Sequence, residues 1–249
     1  MMQQLFDFPL ILILFCVLPL IIVEWFFPLL KYEFDTLWLV RLLIYAFFGI
    51  ILTSFIGDYL TNKNHISLFN QLHIDLFYQY PIVVQSIIGY LLITFFIYWW
   101  HRLRHQSNFL WRTFHQIHHS TYRIQTLTAI YAHPLDFIGT ALVVNSVIYL
   151  ILGLHLKAAV LTTVITSFFD FWEHTNIKTP KWLGYILVRP EMHRIHHEKN
   201  KHNNNYSIPL WDMIFGTYEN SNREVVCGFD IEHEKQVLRL LTFHDLDKK

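Results

Sequence analysis

Residues 8–30, 37–57 and 81–100 form three runs of mostly apolar residues with very little charge, each of the length, about 20 residues, that a helix needs to cross the hydrocarbon of a bilayer. Two shorter runs, 137–154 and 156–172, are separated only by the corner at 153–155. They read as a membrane hairpin that either crosses with tilt or dips in and returns. These runs predict an all-α polytopic membrane protein with about four to five transmembrane or re-entrant helices. Pro19 lies inside the first run, and the third ends in the aromatic string YWW, as expected at a membrane interface. Charged residues are 15% of the chain, against about 25% in soluble domains, a deficit that suits contact with lipid. Lys+Arg and Asp+Glu balance at 19 each, so no basic field draws the chain to nucleic acid. The opening MMQQLFDFP has no Lys or Arg, so the first run reads as a retained anchor, not a cleaved signal peptide. Cys16 and Cys227 lie in an apolar run and a polar region and are not expected to pair.

The polar segments lie between and after these runs. Residues 58–80 are a connector with an interfacial helix expected over 68–78. Arg102, Arg104, Arg112 and Arg123 follow the third run, Lys178, Lys181, Arg189 and Arg194 follow the fifth, and the connector holds only Lys63. Positive charge accumulates on the cytoplasmic side, so the segments after the third and fifth runs are expected there, with the N-terminus outside if there are five crossings. The expected organisation is anchor helices and connector over 1–95, a catalytic domain over 96–220 that includes the hairpin 137–172, and a C-terminal cytoplasmic tail over 221–249.

Histidine carries the chemistry. The string WRTFHQIHHS at 111–120 has three histidines within five residues, and EMHRIHHEKN at 191–200 repeats the pattern. With 16 histidines in 249 residues, a given HxxHH window arises by chance at roughly 3 in 10,000, so two of them point to a purpose. HRLRH at 101–105 adds an HxxxH box. Residues at i, i+3 and i+4 share one side of a helix, so His101, His105, His115, His118, His119, His193, His196 and His197 are expected to converge. Neutral imidazole suits Fe, Zn, Cu or Ni, and eight donors are too many for one tetrahedral zinc. Two metals, each with several histidines and room for a small molecule, is the economical arrangement. His133 in HPLDF and His174 in DFWEHTNI stand at the mouths of the fourth and fifth runs, on the same polar face, and are expected as further ligands. Asp170, one turn before His174, is expected to accept the second N–H of an imidazole and orient it. His65, His73, His155, His202, His233 and His244 are expected as isolated surface or core residues. The zinc-protease motif HExxH is excluded, because after His197-Glu198 the next histidine, His202, falls one residue late.

These strings, in this order, resemble the fatty acid hydroxylase superfamily, often labelled sterol desaturase. The resemblance rests on YWWHRLRH at 98–105, WRTFHQIHHS at 111–120, HP at 133–134, HTNI at 174–177, MHRIHH at 192–197 and NYSIPLWDMIFGTY at 205–218. It is nearest the bacterial branch and also similar to the C-4 methylsterol oxidases and alkylglycerol monooxygenases. It implies a dimetal centre, diiron when active and open to zinc substitution, on the cytoplasmic side of the membrane. It further implies O2 as co-substrate, a lipid as substrate and ligation by the eight box histidines, with His174 as the additional one. Fatty acid 2-hydroxylases carry another histidine where this chain has Asp170, so their substrate does not transfer with the pattern.

Three functions follow as alternatives: a lipid hydroxylase, a lipid or sterol desaturase using the same centre, and, outside enzymes, a membrane metal- or haem-binding protein. The last would place its histidines within the spans, whereas here they lie beyond them. No flavin, haem or dinucleotide motif is present, so an oxygenase of this kind needs an external electron donor, ferredoxin- or cytochrome b5-like.

Overall fold

The computed structural model describes residues 9–61, 77 and 79–247. The interfacial helix expected over 68–78, along with Lys63, His65 and His73, lies outside the described residues except for Phe77. Among the described residues there are no strands, only an isolated antiparallel bridge between Glu198 and Cys227. The first three runs form α1 (Pro9–Phe26), α2 (Thr36–Thr61) and α3 (Ile82–Gln106). A π turn over Trp111–His115 enters α4 (Gln116–Ser120). The hairpin is α5 (Pro134–Asn145), prolonged by a π turn over Ser146–Ile151, and α6 (Leu156–Glu173). Four short helices follow among the described residues: α7 (Pro190–His196), α8 (Pro209–Phe215), α9 (Ile231–Glu234) and α10 (Val237–Leu241).

Four of these elements are long and apolar enough to cross a membrane: Pro9–Phe26, Thr36–Ile56, Ile82–Gln106 and Pro134–Ile151. The fourth run keeps the 18-residue length read from its sequence but is shifted three residues toward the N-terminus, because the helix starts at Pro134, a residue suited to the first helical position. The helix of the fifth run falls outside this set. It has 18 residues but carries Lys157, Asp170, Glu173 and three threonines. That polarity is tolerable because α6 packs against α1 and α3. Ser86 of α3 donates to the Ala158 carbonyl at 3.2 Å. A Cβ on Gly89 would stand 2.9 Å from Leu154 Cδ1 and 3.0 Å from Thr162 Oγ1. Small residues let helices in lipid approach this closely. From this contact α6 runs alongside α3 until both reach the histidines, α3 with His101 and His105, α6 with His174 at its C-terminal cap.

The N-terminal helices are tied to the polar cap by hydrogen bonds that no motif announced. One carboxylate oxygen of Glu24, near the end of α1, accepts from Thr126 N at 2.6 Å, Thr126 Oγ1 at 2.6 Å and Asn176 N at 2.8 Å. Asn176, from the HTNI string, closes a second link by bonding both Leu30 N and Leu30 O. Trp38 of α2 donates to Thr121 and stacks on Tyr131 at 5.5 Å. Phe229, Leu240 and Leu246 share that core, so the residues beyond 221 pack as part of the cap.

Candidate metal centre

The HxxxH and HxxHH boxes sit at helix ends that converge beyond the apolar runs. Their ring nitrogens form two groups, His101, His105, His115, His119 and His196 in one and His118, His174, His193 and His197 in the other, with the ligand atoms of each group all within 4.8 Å of one another. The helix repeat explains the division. At about 100° per residue, i+4 stands about 40° from i, while i+3 stands about 60° away on the other side. Each box therefore sends its i and i+4 rings to one group and its i+3 ring to the other. His115 and His119 join the first group and His118 the second; His193 and His197 join the second and His196 the first. The two groups meet where His119 stacks on His197 at 4.1 Å.

Burial holds the imidazoles of His115, His118, His119, His193 and His197 well below their ordinary range, reinforced at His115 and His118 by the Arg104 guanidinium. Burial lowers His174 to about 4 and His196 to about 3. All are neutral at physiological pH, the state in which a ring nitrogen can bind metal. Fixed acceptors then set the tautomers. His101 Nδ1 faces the Tyr206 carbonyl at 2.8 Å, His174 Nδ1 the Asp170 carbonyl at 2.6 Å and His196 Nδ1 the Asn204 carbonyl at 2.6 Å. A proton held on Nδ1 leaves the Nε2 lone pair turned inward. The string NYSIPLWDMIFGTY contains one of these acceptors, Tyr206, and directly follows another, Asn204. Asp212 accepts from Tyr206 N and Ser207 N, Asn205 donates to the Met192 carbonyl, and Gly216, at φ 75°, ends α8 so that Thr217 can turn back onto Asp212.

The nitrogens fit metal better than they fit one another. Nε2 atoms lie 3.1 Å apart in His118/His174, 2.9 Å in His174/His193 and 3.1 Å in His193/His197. A neutral ring nitrogen either donates or accepts once, so a chain of four nitrogens joined by three such contacts does not satisfy them as hydrogen bonds. Two nitrogens about 2.0–2.1 Å from one ion and roughly at right angles to it would be about 3 Å apart. Buried His105 Nε2 and His196 Nε2 have no hydrogen-bond partner at all, as donors aimed at a cation would.

His133 is not in either group. Its Nδ1 accepts from Leu135 N at 3.0 Å as the N-cap of α5, and its ring lies on Phe243, so the HP string serves a helix start. Asp170 also differs from expectation. It is the backbone carbonyl that holds His174 closely, while the carboxylate stands 3.7 Å from that ring and is half-exposed on the wall of a cavity. His155 caps α6 through Lys157 N, consistent with a structural residue. His202 is not isolated: its ring stacks on Trp111 and lies 4.6 Å from that of His119. Sequence reasoning also missed Glu173, whose carboxylate is 3.5 Å from His193 Nδ1, and the buried residues Arg104 and Asp136. The available signal was charge at the edge of an apolar run, which marks a functional position by default.

A cavity of about 460 Å³ lies among α3, α5 and α6. Ile93, Ile97 and Val144 line its apolar part, Thr163, Thr166 and Ser167 add hydroxyls, and His101, His115, His118, His174 and His193 close its end. This size and lining suit an organic ligand.

Residues 86–217 match the fatty acid hydroxylase family. The chain is 34% identical over 152 residues to a human alkylglycerol monooxygenase, covering 56% of this chain and 32% of that protein. It is 31% identical over 150 residues to an ornithine lipid hydroxylase of Rhizobium tropici, covering 58% and 45%. It is 27% identical over 152 residues to a very-long-chain aldehyde decarbonylase of Oryza sativa subsp. indica, covering 56% and 57%. The chain thus aligns with between a third and just over half of the length of these relatives. No solved structure matches.

Proposed function

The chain belongs to the fatty acid hydroxylase family, and we propose that it is an integral membrane, O2-dependent diiron oxidoreductase that hydroxylates a C–H bond of a lipid. The observation that carries this reading is the placement of both histidine groups at the end of a largely apolar cavity enclosed by membrane helices. His101, His105, His115, His119 and His196 would hold one iron, and His118, His174, His193 and His197 the other. Zinc, which also favours imidazole, is expected to substitute in purified protein. Two relatives named as a lipid hydroxylase and an alkylglycerol monooxygenase support the chemistry and the substrate class.

Ferrous iron with neutral nitrogen donors supplies the power to activate O2 toward an unactivated carbon. The balance is R–H, O2, two electrons and two protons giving R–OH and water, with the electrons from an external ferredoxin- or cytochrome b5-like donor. The chain's own contribution is to keep buried imidazoles neutral, fix the tautomers of His101, His174 and His196 with carbonyl acceptors, and hold the lipid in a space whose apolar wall excludes water. The positive charge after α3 and α6 supports a cytoplasmic location for the site.

Comparison of lipids from cells with and without the gene, grown under 18O2, tests this. The expected result is one lipid that carries a single labelled oxygen only when the gene is present. A product that is two hydrogens lighter and unlabelled would assign desaturation instead. A haem Soret band in the purified protein would overturn both, although nitrogens crowded at 2.9–3.2 Å leave no plane for a porphyrin.

A further inference from the structure

Of the histidines in the two groups, His115 has the most charged surroundings. Its Nδ1 lies 2.9 Å from Asp136 Oδ2 and 2.9 Å from Arg104 Nη1, and Arg104 and Asp136 are themselves ion-paired and buried. His115 Nε2 meanwhile lies 2.9 Å from His101 Nε2 and 3.2 Å from His119 Nε2, at the centre of the first group. The two neighbours of Nδ1 make opposite demands. If the proton is on Nδ1 it is donated to Asp136, and Nε2 offers a lone pair to the group. If Nδ1 accepts from Arg104, the proton moves to Nε2 and that lone pair is lost.

We propose that Asp136 is a positioning residue for the first metal site: it fixes the Nδ1–H tautomer of His115 against the competing donor Arg104, while its own ion pair with Arg104 keeps that guanidinium occupied. His101, His174 and His196 are each held by a neutral backbone carbonyl, so His115 is distinguished from them by a close carboxylate partner. A carboxylate raises the donor strength of the ring it accepts from. Asp136 acts on the first site alone; in the second, the Glu173 carboxylate stands farther from its ring, 3.5 Å from His193 Nδ1. The inference rests on the metal-centre reading above.

The test is metal retention by the full-length protein in detergent or nanodiscs, loaded with ferrous iron without oxygen and titrated with a chelator. Asp136→Asn keeps the shape, removes the charge and frees Arg104 to donate to His115. We expect the wild type to hold two irons per chain and the variant to lose one of them at roughly 10- to 100-fold lower chelator concentration, the scale of losses when such partners are removed. The other iron should be retained as in the wild type, which also reports that the protein is folded. Because Asp136→Asn alone strands a buried guanidinium, Arg104→Gln/Asp136→Asn is measured beside it. That pair has no unpaired charge and should still show selective weakening of one iron. Wild-type retention of both irons in the double variant, or equal weakening of both in folded protein, would overturn the role of Asp136. A wild type that binds no metal would instead overturn the metal-centre reading itself.

Discussion

If each HxxHH box sends its i+3 ring across to the other group, then His196 should behave like His101, from a distant box, and unlike His193, three residues away. His196→Ala removes one of the five nitrogens of the first group, and His118→Ala removes one of the four of the second. Four-ligand structural zinc sites are worth about 10–16 kcal/mol, or about 2.5–4 kcal/mol per ligand, which is about 100- to 1,000-fold in affinity. The five-nitrogen group still has four after His196→Ala, so its loss should fall near 100-fold. The four-nitrogen group has three after His118→Ala, so its loss should fall near 1,000-fold. Chelator titration followed by elemental analysis reads both, with the iron that remains as the control for folding. The combinations decide the geometry. His196→Ala/His101→Ala should strip one iron and keep the other. His196→Ala/His118→Ala should weaken both. If His196→Ala/His193→Ala spares one iron while His196→Ala/His101→Ala weakens both, the boxes do not cross and the reasoning fails.

Glu24→Ala strands the buried backbone N–H groups of Thr126 and Asn176, and hydrogen bonds to a charged acceptor are worth about 1.5–3 kcal/mol each. We expect a loss of about 3–5 kcal/mol in detergent unfolding and about 1–2 kcal/mol for Glu24→Gln, which keeps an acceptor; a change below about 0.5 kcal/mol for Glu24→Ala would show that α1 is not docked through this residue. Thr163→Trp fills the cavity and should lower lipid turnover about 100-fold through misplacement of the substrate while two irons remain bound; full activity would move the substrate elsewhere. Asp170→Asn should leave iron content unchanged, because the carbonyl of that residue holds His174; loss of iron would show that the carboxylate does so.

The convergence of the box histidines was legible because spacing on a helix is a local property: i, i+3 and i+4 are neighbours whatever the rest of the chain does. His174 was legible from its place at the end of an apolar run. The helix repeat separates the i+3 ring of a box from its i and i+4 rings, but which boxes share a group was not legible, because that depends on how separate helix ends face one another. His133 shows the limit of a short string, since HP reads as a ligand position but caps α5, and His202 shows the opposite limit, since it reads as isolated although the fold brings it against Trp111 and His119. Glu24 and Asn176 were invisible as partners for the same reason, since 152 residues separate them in sequence. The fifth run shows a different limit. Composition measures contact with lipid, and α6 is sheltered by α1 and α3, so its polar residues say where the cavity is and not whether the helix traverses the membrane layer.

That last point bears on orientation. Of the eight basic residues after the third and fifth runs, Arg104, Arg123, Arg189 and Arg194 are buried in the folded cap, with Arg189 bonded to Thr179, Asn220 and Asn222. Their charge is therefore accounted for by the fold, and the folded surface alone is a weak guide to sidedness. Insertion, however, reads the unfolded segment, where all eight are still free, and Lys or Arg near the ends of spans sets the topology. The structure adds that α3 and α6 end together at one centre, so both basic segments must share a side. Single cysteines at the exposed positions Asn108 and Asn203, in a Cys16→Ser/Cys227→Ser background, should then label from the cytoplasmic face in intact cells, and Lys63→Cys from the opposite face. Labelling of Asn108→Cys and Asn203→Cys from opposite faces would break the shared centre, and labelling of both from outside would leave the centre intact but reverse its orientation.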